Sequence, residues 1–272
     1  MKFTPKQLEE NVNVSRSHPL AELAWLLGGL VLLAGVLFFL LGLAADWAAA
    51  KTPISLETRL GQLALQDLPG TENEPLTERL QALLSSLPEN SPLHQYRFRI
   101  FLSPSAEVNA LALPGGNILV FSGLIKEIRS ENELLMILAH ELGHFAHRDH
   151  LRGLGRGLGV AVAASLLFGQ DNAAGDLISK TFLTFQVRYS QRQESAADRF
   201  GLELLTRHYG HCGGATDFFS RLAAESGSRI PYLLASHPHP QARIDALNRI
   251  IAQQNYPVAA VLPLGADLKS ID

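Results

Sequence analysis

The sequence holds a single cysteine, Cys212, so no disulfide can form within the chain. A fold without disulfides can live on either side of a membrane, and the compartment stays open. Cys212 lies in a glycine-rich turn, His211-Cys212-Gly213-Gly214, with no second cysteine beside it, which argues against a thiolate metal ligand. An excess of basic charge is also missing: 23 Lys and Arg face 26 Asp and Glu, for a net charge of -3. The electrostatic footprint of a nucleic-acid partner is therefore absent. There is no internal repeat and no low-complexity tract. What remains, over 272 residues, is enough for one sizeable globular domain and an anchor.

Long apolar runs are scarce, and one stands out. Leu23 to Ala45 is uncharged and long enough to cross a bilayer. Trp25 and Trp47 bracket it, roughly 33 Å apart along a helix, as interfacial tryptophans bracket a spanning helix. A cleaved signal peptide would have a shorter apolar core, so a retained anchor is expected. Lys2, Lys6 and Arg16 precede it, and Lys51 and Arg59 follow. That slight bias places the N-terminus inside and the bulk of the chain on the non-cytoplasmic side, in a single-pass protein of the bacterial inner membrane. Ala21, Gly28, Gly35, Gly42 and Ala49 recur every seventh position, a small-residue stripe suited to self-association of the anchor. A second apolar stretch, Leu158 to Phe168, is too short to span; it fits a buried helix or one dipping into the membrane surface.

Taken in order, the chain reads as a polar tail (1–22), the anchor (23–47), a helical connector (51–92) broken at Pro69-Gly70 and Pro88, a main domain (93–255) and a C-terminal tail (256–272). The main domain opens with β-rich runs at Tyr96–Leu102, Val108–Leu113 and Ile118–Phe121, the last two separated by the turn formers Pro114-Gly115-Gly116-Asn117. A small antiparallel sheet is expected, with an edge near Asn109–Leu113 able to hold an extended peptide.

The chemistry centres on Ser130 to His150, which reads as one amphipathic helix opened by a Ser130-x-x-Glu133 capping box. Within it His140-Glu141-Leu142-Gly143-His144 is the H-E-x-x-H pattern. At about 3.6 residues per turn the two histidines stack on one side and can share a metal ion. Glu141 lies about 100° round the helix, placed to act as a base on a water. A third ligand has two candidates. His150 has the metzincin spacing, but His147 stands where that pattern needs glycine, so the helix is expected to continue and His150 not to return. Glu194, on a helix expected over Thr181–Arg207, is the better placed carboxylate. Asp198, one turn on, can then hydrogen-bond a ligand histidine.

These blocks resemble the membrane-associated gluzincin metallopeptidases of the HtpX, BepA and Oma type, which include the CAAX prenyl endopeptidases. The matching residues are Asn109 to Gly116 with Ile118 to Leu124, then His140 to His144, then Glu194 to Asp198, then His237-Pro238 with Arg243 in an H-P-x-x-x-x-R pattern. The resemblance implies a mostly helical α+β zincin fold and one Zn2+ held by His140, His144 and Glu194, with Glu141 as general base. It implies endopeptidase activity on protein substrates, in quality control of membrane or envelope proteins. His237 would face the metal, as a blocking ligand or as an oxyanion donor. Arg243 would donate to the oxyanion or fix Glu194. The alternatives are a metzincin-type site using His150 and an inactive, chaperone-like member; the intact Glu141 speaks against the latter.

Overall fold

The computed structural model describes residues 18–66, 68–168, 189–224 and 240–269, the side chains of 160–168 excepted. Helix α1 (Pro19–Lys51) is followed by α2 (Ile54–Gln66), β1 (Thr71–Glu72), α3 (Glu74–Leu84), β2 (Arg99–Ser103), β3 (Ala110–Leu113), β4 (Asn117–Phe121) and α4 (Ser122–Glu127). Then come α5 (Glu131–Ala146), α6 (Asp149–Phe168), α7 (Gln191–Tyr209), α8 (Asp217–Ala224), α9 (Pro240–Gln254) and α10 (Ala266–Lys269). The backbone of the Leu158–Phe168 stretch is thus the second half of α6; most of its side chains, with residues 181–188, lie outside the described residues.

Two compact units are present, Met1–Leu43 and Ala44–Asp272. In the first, α1 is long and apolar enough to cross a membrane, and most of its leucines, with Trp25, are exposed. A Cβ on Gly28, Gly35 or Gly42 would meet nothing within 4 Å. The second unit holds the core. There Leu76, Leu80 and Leu83 of α3, Ile100 of β2, Ile118 and Val120 of β4, Leu134 and Leu138 of α5, and Leu202 and Leu205 of α7 are fully buried. Each such side chain contributes about 1.5–3 kcal/mol by leaving water.

Helix α5 runs through the middle, buried from Asn132 to Phe145. Half of the expected capping box is formed at its start: the Ser130 hydroxyl accepts from the Glu133 N–H at 3.2 Å. The Glu133 carboxylate reaches one residue further back, to the Arg129 N–H at 2.9 Å. Its end differs from expectation. The helix does not run on to His150; it stops at Ala146, and α6 begins at Asp149. Two residues break it. His147 Nδ1 bonds the Gly143 carbonyl at 2.7 Å, capping the last turn, and Arg148 takes φ 56°, a left-handed conformation rare for a side-chain-bearing residue.

The sheet has the order β1-β2-β4-β3. The β3–β4 hairpin is antiparallel, as its turn chemistry predicts. Gly115 and Gly116 sit at φ 78° and 84°, and a Cβ on Gly115 would lie 2.7 Å from Thr58 Cα of α2. The sheet as a whole is mixed, because β2 pairs β4 in parallel. The chain reverses once after β2 and again at the hairpin, so β4 returns to the direction of β2 while β3 is placed at the outer edge.

Candidate active site

The site exists because two helices touch almost backbone to backbone. A Cβ on Gly143 of α5 would lie 2.8 Å from Ala197 Cα of α7, and one on Gly201 would lie 3.1 Å from the His140 backbone nitrogen. This approach sets Glu194, in the first turn of α7, beside the histidines of α5. His140 Nε2 and His144 Nε2 are 3.1 Å apart. Glu194 Oε2 is 3.6 Å from the former, and Glu194 Oε1 is 3.5 Å from the latter. All three side chains are buried, and their donor atoms can share one metal ion.

The donor set fits such an ion. Nitrogen and oxygen ligands at about 2.0–2.1 Å round a tetrahedral zinc stand roughly 3.3–3.5 Å apart, close to the distance between the two nitrogens and to that from each nitrogen to a Glu194 oxygen. Each imidazole also has its far nitrogen at a carboxylate, as ligand histidines do. Asp198 Oδ1 lies 2.9 Å from His140 Nδ1, and Asp149 Oδ2 lies 3.1 Å from His144 Nδ1. With those nitrogens donating, the two Nε2 atoms face each other and Glu194, and a cation, whether a proton or a metal ion, fits between them.

The two sides differ in charge. Burial and the Arg243 guanidinium push His140 down to about 4, against the pull of Asp198 and Glu194. Burial alone would raise Asp198; Arg243 and His140 outweigh it and hold the carboxyl well below the usual carboxylate range. Arg243 Nε donates to Asp198 Oδ2 at 3.0 Å and its Nη2 to Oδ1 at 2.5 Å, while the guanidinium lies 4.0 Å over the Phe219 ring. At His144 burial acts downward, but Asp149 and Glu194 prevail and push it up to about 9. That half of the site attracts positive charge. Tyr189 stacks on the His144 ring, centroids 3.7 Å apart.

Glu141 points elsewhere on α5, as its position in the helix requires. Burial pushes its carboxyl up to about 7, with Glu194 adding and His144 and Arg243 opposing. The Ala112 backbone of β3 acts in the same direction as His144 and Arg243, favouring the charged carboxylate. Beside it is a small, mostly apolar cavity of about 20 Å³ lined by Asn109, Leu124, Ile137, Phe218 and Phe219. Asn109 is fully buried; its Oδ1 accepts from the Ala110 N–H at 2.9 Å, and its Nδ2 has no partner among the described residues.

Of the residues singled out from sequence, His140, His144, Glu141, Glu194, Asp198 and Arg243 converge here. His237 lies outside the described residues. His150 does not converge: its Nε2 is 2.8 Å from Glu57 Oε1 of α2, and it is not among the three metal-capable donors. Asp149, Gln193 and Tyr189 had not been singled out. Only Asp149 carried a signal, as a carboxylate five residues beyond His144. Gln193 closes the capping box of α7 with Ser190 and also donates to Asp149 Oδ1 at 2.7 Å.

A sequence profile described as peptidase family M48 matches residues 74–251. The chain is 27% identical over 231 residues to the β-barrel assembly-enhancing protease of Yersinia pestis, covering 78% of this chain and 48% of that one. It is 29% identical over 149 residues to the mitochondrial metalloendopeptidase OMA1 of Arabidopsis thaliana, covering 54% and 30%. With the metalloprotease YcaL of Escherichia coli the identity is 27% over 181 residues, covering 64% and 70%. The chain spans about half the length of the β-barrel assembly-enhancing proteases it matches.

Proposed function

The chain belongs to peptidase family M48, and on that premise we propose that it is a membrane-anchored zinc endopeptidase. The observation that carries this reading is the buried cluster of His140, His144 and Glu194, in which the two Nε2 atoms are 3.1 Å apart and the two Glu194 oxygens lie 3.6 and 3.5 Å from them. These three residues would hold the ion, with Asp198 and Asp149 fixing the imidazoles from behind. The chemistry such an ion supplies is Lewis acidity, which activates water and polarises a carbonyl.

The remaining work falls to the chain. Glu141, with a proton affinity near neutrality, takes a proton from the attacking water at a carboxylate oxygen and passes it to the leaving amide nitrogen. The substrate lies extended along edge strand β3, near Asn109–Leu113, through main-chain hydrogen bonds. The cavity beside Glu141 takes one small apolar side chain. Arg243 acts through Asp198, which its guanidinium grips with two hydrogen bonds.

The relatives named for β-barrel assembly favour unfolded membrane or envelope proteins as substrates. The apolar α1 and the charge bias round it favour a single-pass inner-membrane protein with the site on the non-cytoplasmic side. The test is degradation of casein by the detergent-solubilised full chain. A zinc chelator should stop it and added zinc restore it. Glu141→Gln should bind zinc and lower the rate by about 10²–10⁴. Cleavage that survives both chelation and Glu141→Gln would refute the reading.

A further inference from the structure

In the turn that breaks α5 from α6, three consecutive residues are each held by polar contacts. Arg148, held left-handed, donates through Nη1 to the Ala49 and Thr52 carbonyls at 2.7 and 2.8 Å. These are the carbonyls where α1 ends. Asp149, fully buried, accepts from His144 Nδ1 and from Gln193. His150, also fully buried, bonds Glu57 of α2. Glu57 in turn accepts from the Tyr96 hydroxyl at 2.9 Å and the Gly115 N–H at 3.2 Å, and Arg148 Nη2 lies 3.5 Å from it.

We propose that Arg148-Asp149-His150 is a positioning unit through which the last turn of α1 and the first turn of α2 set the metal affinity of the neighbouring cluster. The proposal rests on the metal-site reading above. Its basis is geometric. Asp149 has no slack, since the residues on either side are pinned to the α1–α2 segment. A left-handed arginine persists only where its surroundings hold it there, and what holds it is the pair of helix-end carbonyls. If either pin is released, the Asp149 backbone moves and its 3.1 Å bond to His144 is the first to fail. His144 then loses the partner that fixes its ring, and a ligand histidine without such a partner binds metal more weakly. The end of the apolar helix is thereby connected to the metal site by contacts that contain no metal ligand other than His144. The plainer alternative is a helix break that only stabilises the fold. The two differ in what a loosened turn costs: metal affinity in the first, melting temperature alone in the second.

The experiment measures zinc affinity of the full chain in detergent by competition with a chromophoric chelator. The variants are Asp149→Ala, Arg148→Gly and the two together; glycine keeps the left-handed backbone while removing the grip. Asp149→Ala should weaken binding by about 10–100-fold, and Arg148→Gly by several-fold. Because Arg148 acts through Asp149, the double variant should match Asp149→Ala to within about twofold. The cobalt-substituted Arg148→Gly protein should show altered d–d absorption. Unchanged zinc affinity in Arg148→Gly with a lower melting temperature would overturn the proposal, as would fully additive losses. Should Arg148→Gly fail to fold, Arg148→Lys, which cannot hold both carbonyls in the same fork, carries the same expectation. Wild-type protein that binds no zinc would defeat the metal-site reading itself, a separate result.

Discussion

At the scale of single residues, the site is a set of buried charges that tolerate burial only in company. Arg243 is 6% exposed and Asp198 is 3% exposed, and each accounts for the other. Removing one partner of such a pair leaves an uncompensated buried charge, at a cost of about 3–5 kcal/mol. Asp198→Ala should therefore lower the melting temperature sharply and also weaken zinc by about 10–100-fold, because His140 loses its anchor. Calorimetry and chelator titration measure the two effects. Asp198→Asn keeps an acceptor for His140 but not the charge opposite Arg243, so it should recover more zinc affinity than stability. Equal recovery of both would mean that Asp198 acts on the fold alone.

At the scale of elements, the crossing of α5 and α7 decides whether the donors meet. Gly143→Ala places a methyl 2.8 Å from Ala197 Cα, a backbone atom that cannot turn aside. The helices must part, at a cost of about 1–3 kcal/mol, and Glu194 draws back from the histidines. Loss of zinc affinity together with a lower unfolding midpoint in denaturant is the expected result. What was readable in the sequence was local in cause. The Ser130 cap, the His140–His144 spacing, the Pro114–Asn117 hairpin and the Glu194–Asp198 pair each depend on residues within a few positions of one another. The break after α5 was not readable, because it rests on Arg148 in a conformation for which composition signals only glycine, held by carbonyls 96 and 99 residues away. With it went Asp149 as a histidine partner and Glu57 as the partner of His150. The parallel pairing of β2 with β4 was hidden for the same reason: register across a sheet is a long-range choice.

At the scale of the whole molecule, the unit from Ala44 onward holds its own core. In α1 the buried positions are Ala45 and Ala49, both within that unit. A variant lacking residues 1–43 should leave the membrane fraction and keep the melting temperature of the detergent-solubilised full chain to within a few degrees. A variant lacking residues 1–53 also removes the carbonyls of Ala49 and Thr52 that Arg148 grips, and should melt lower. Fractionation and calorimetry of the pair check both statements. The central claim is that His140, His144 and Glu194 form the metal centre and that His150 does not take part. Elemental analysis of zinc in purified Glu194→Ala and His150→Ala proteins tests it most directly. Zinc near one equivalent in His150→Ala and largely lost from Glu194→Ala is the expected result; zinc retained in Glu194→Ala and lost from His150→Ala would contradict it.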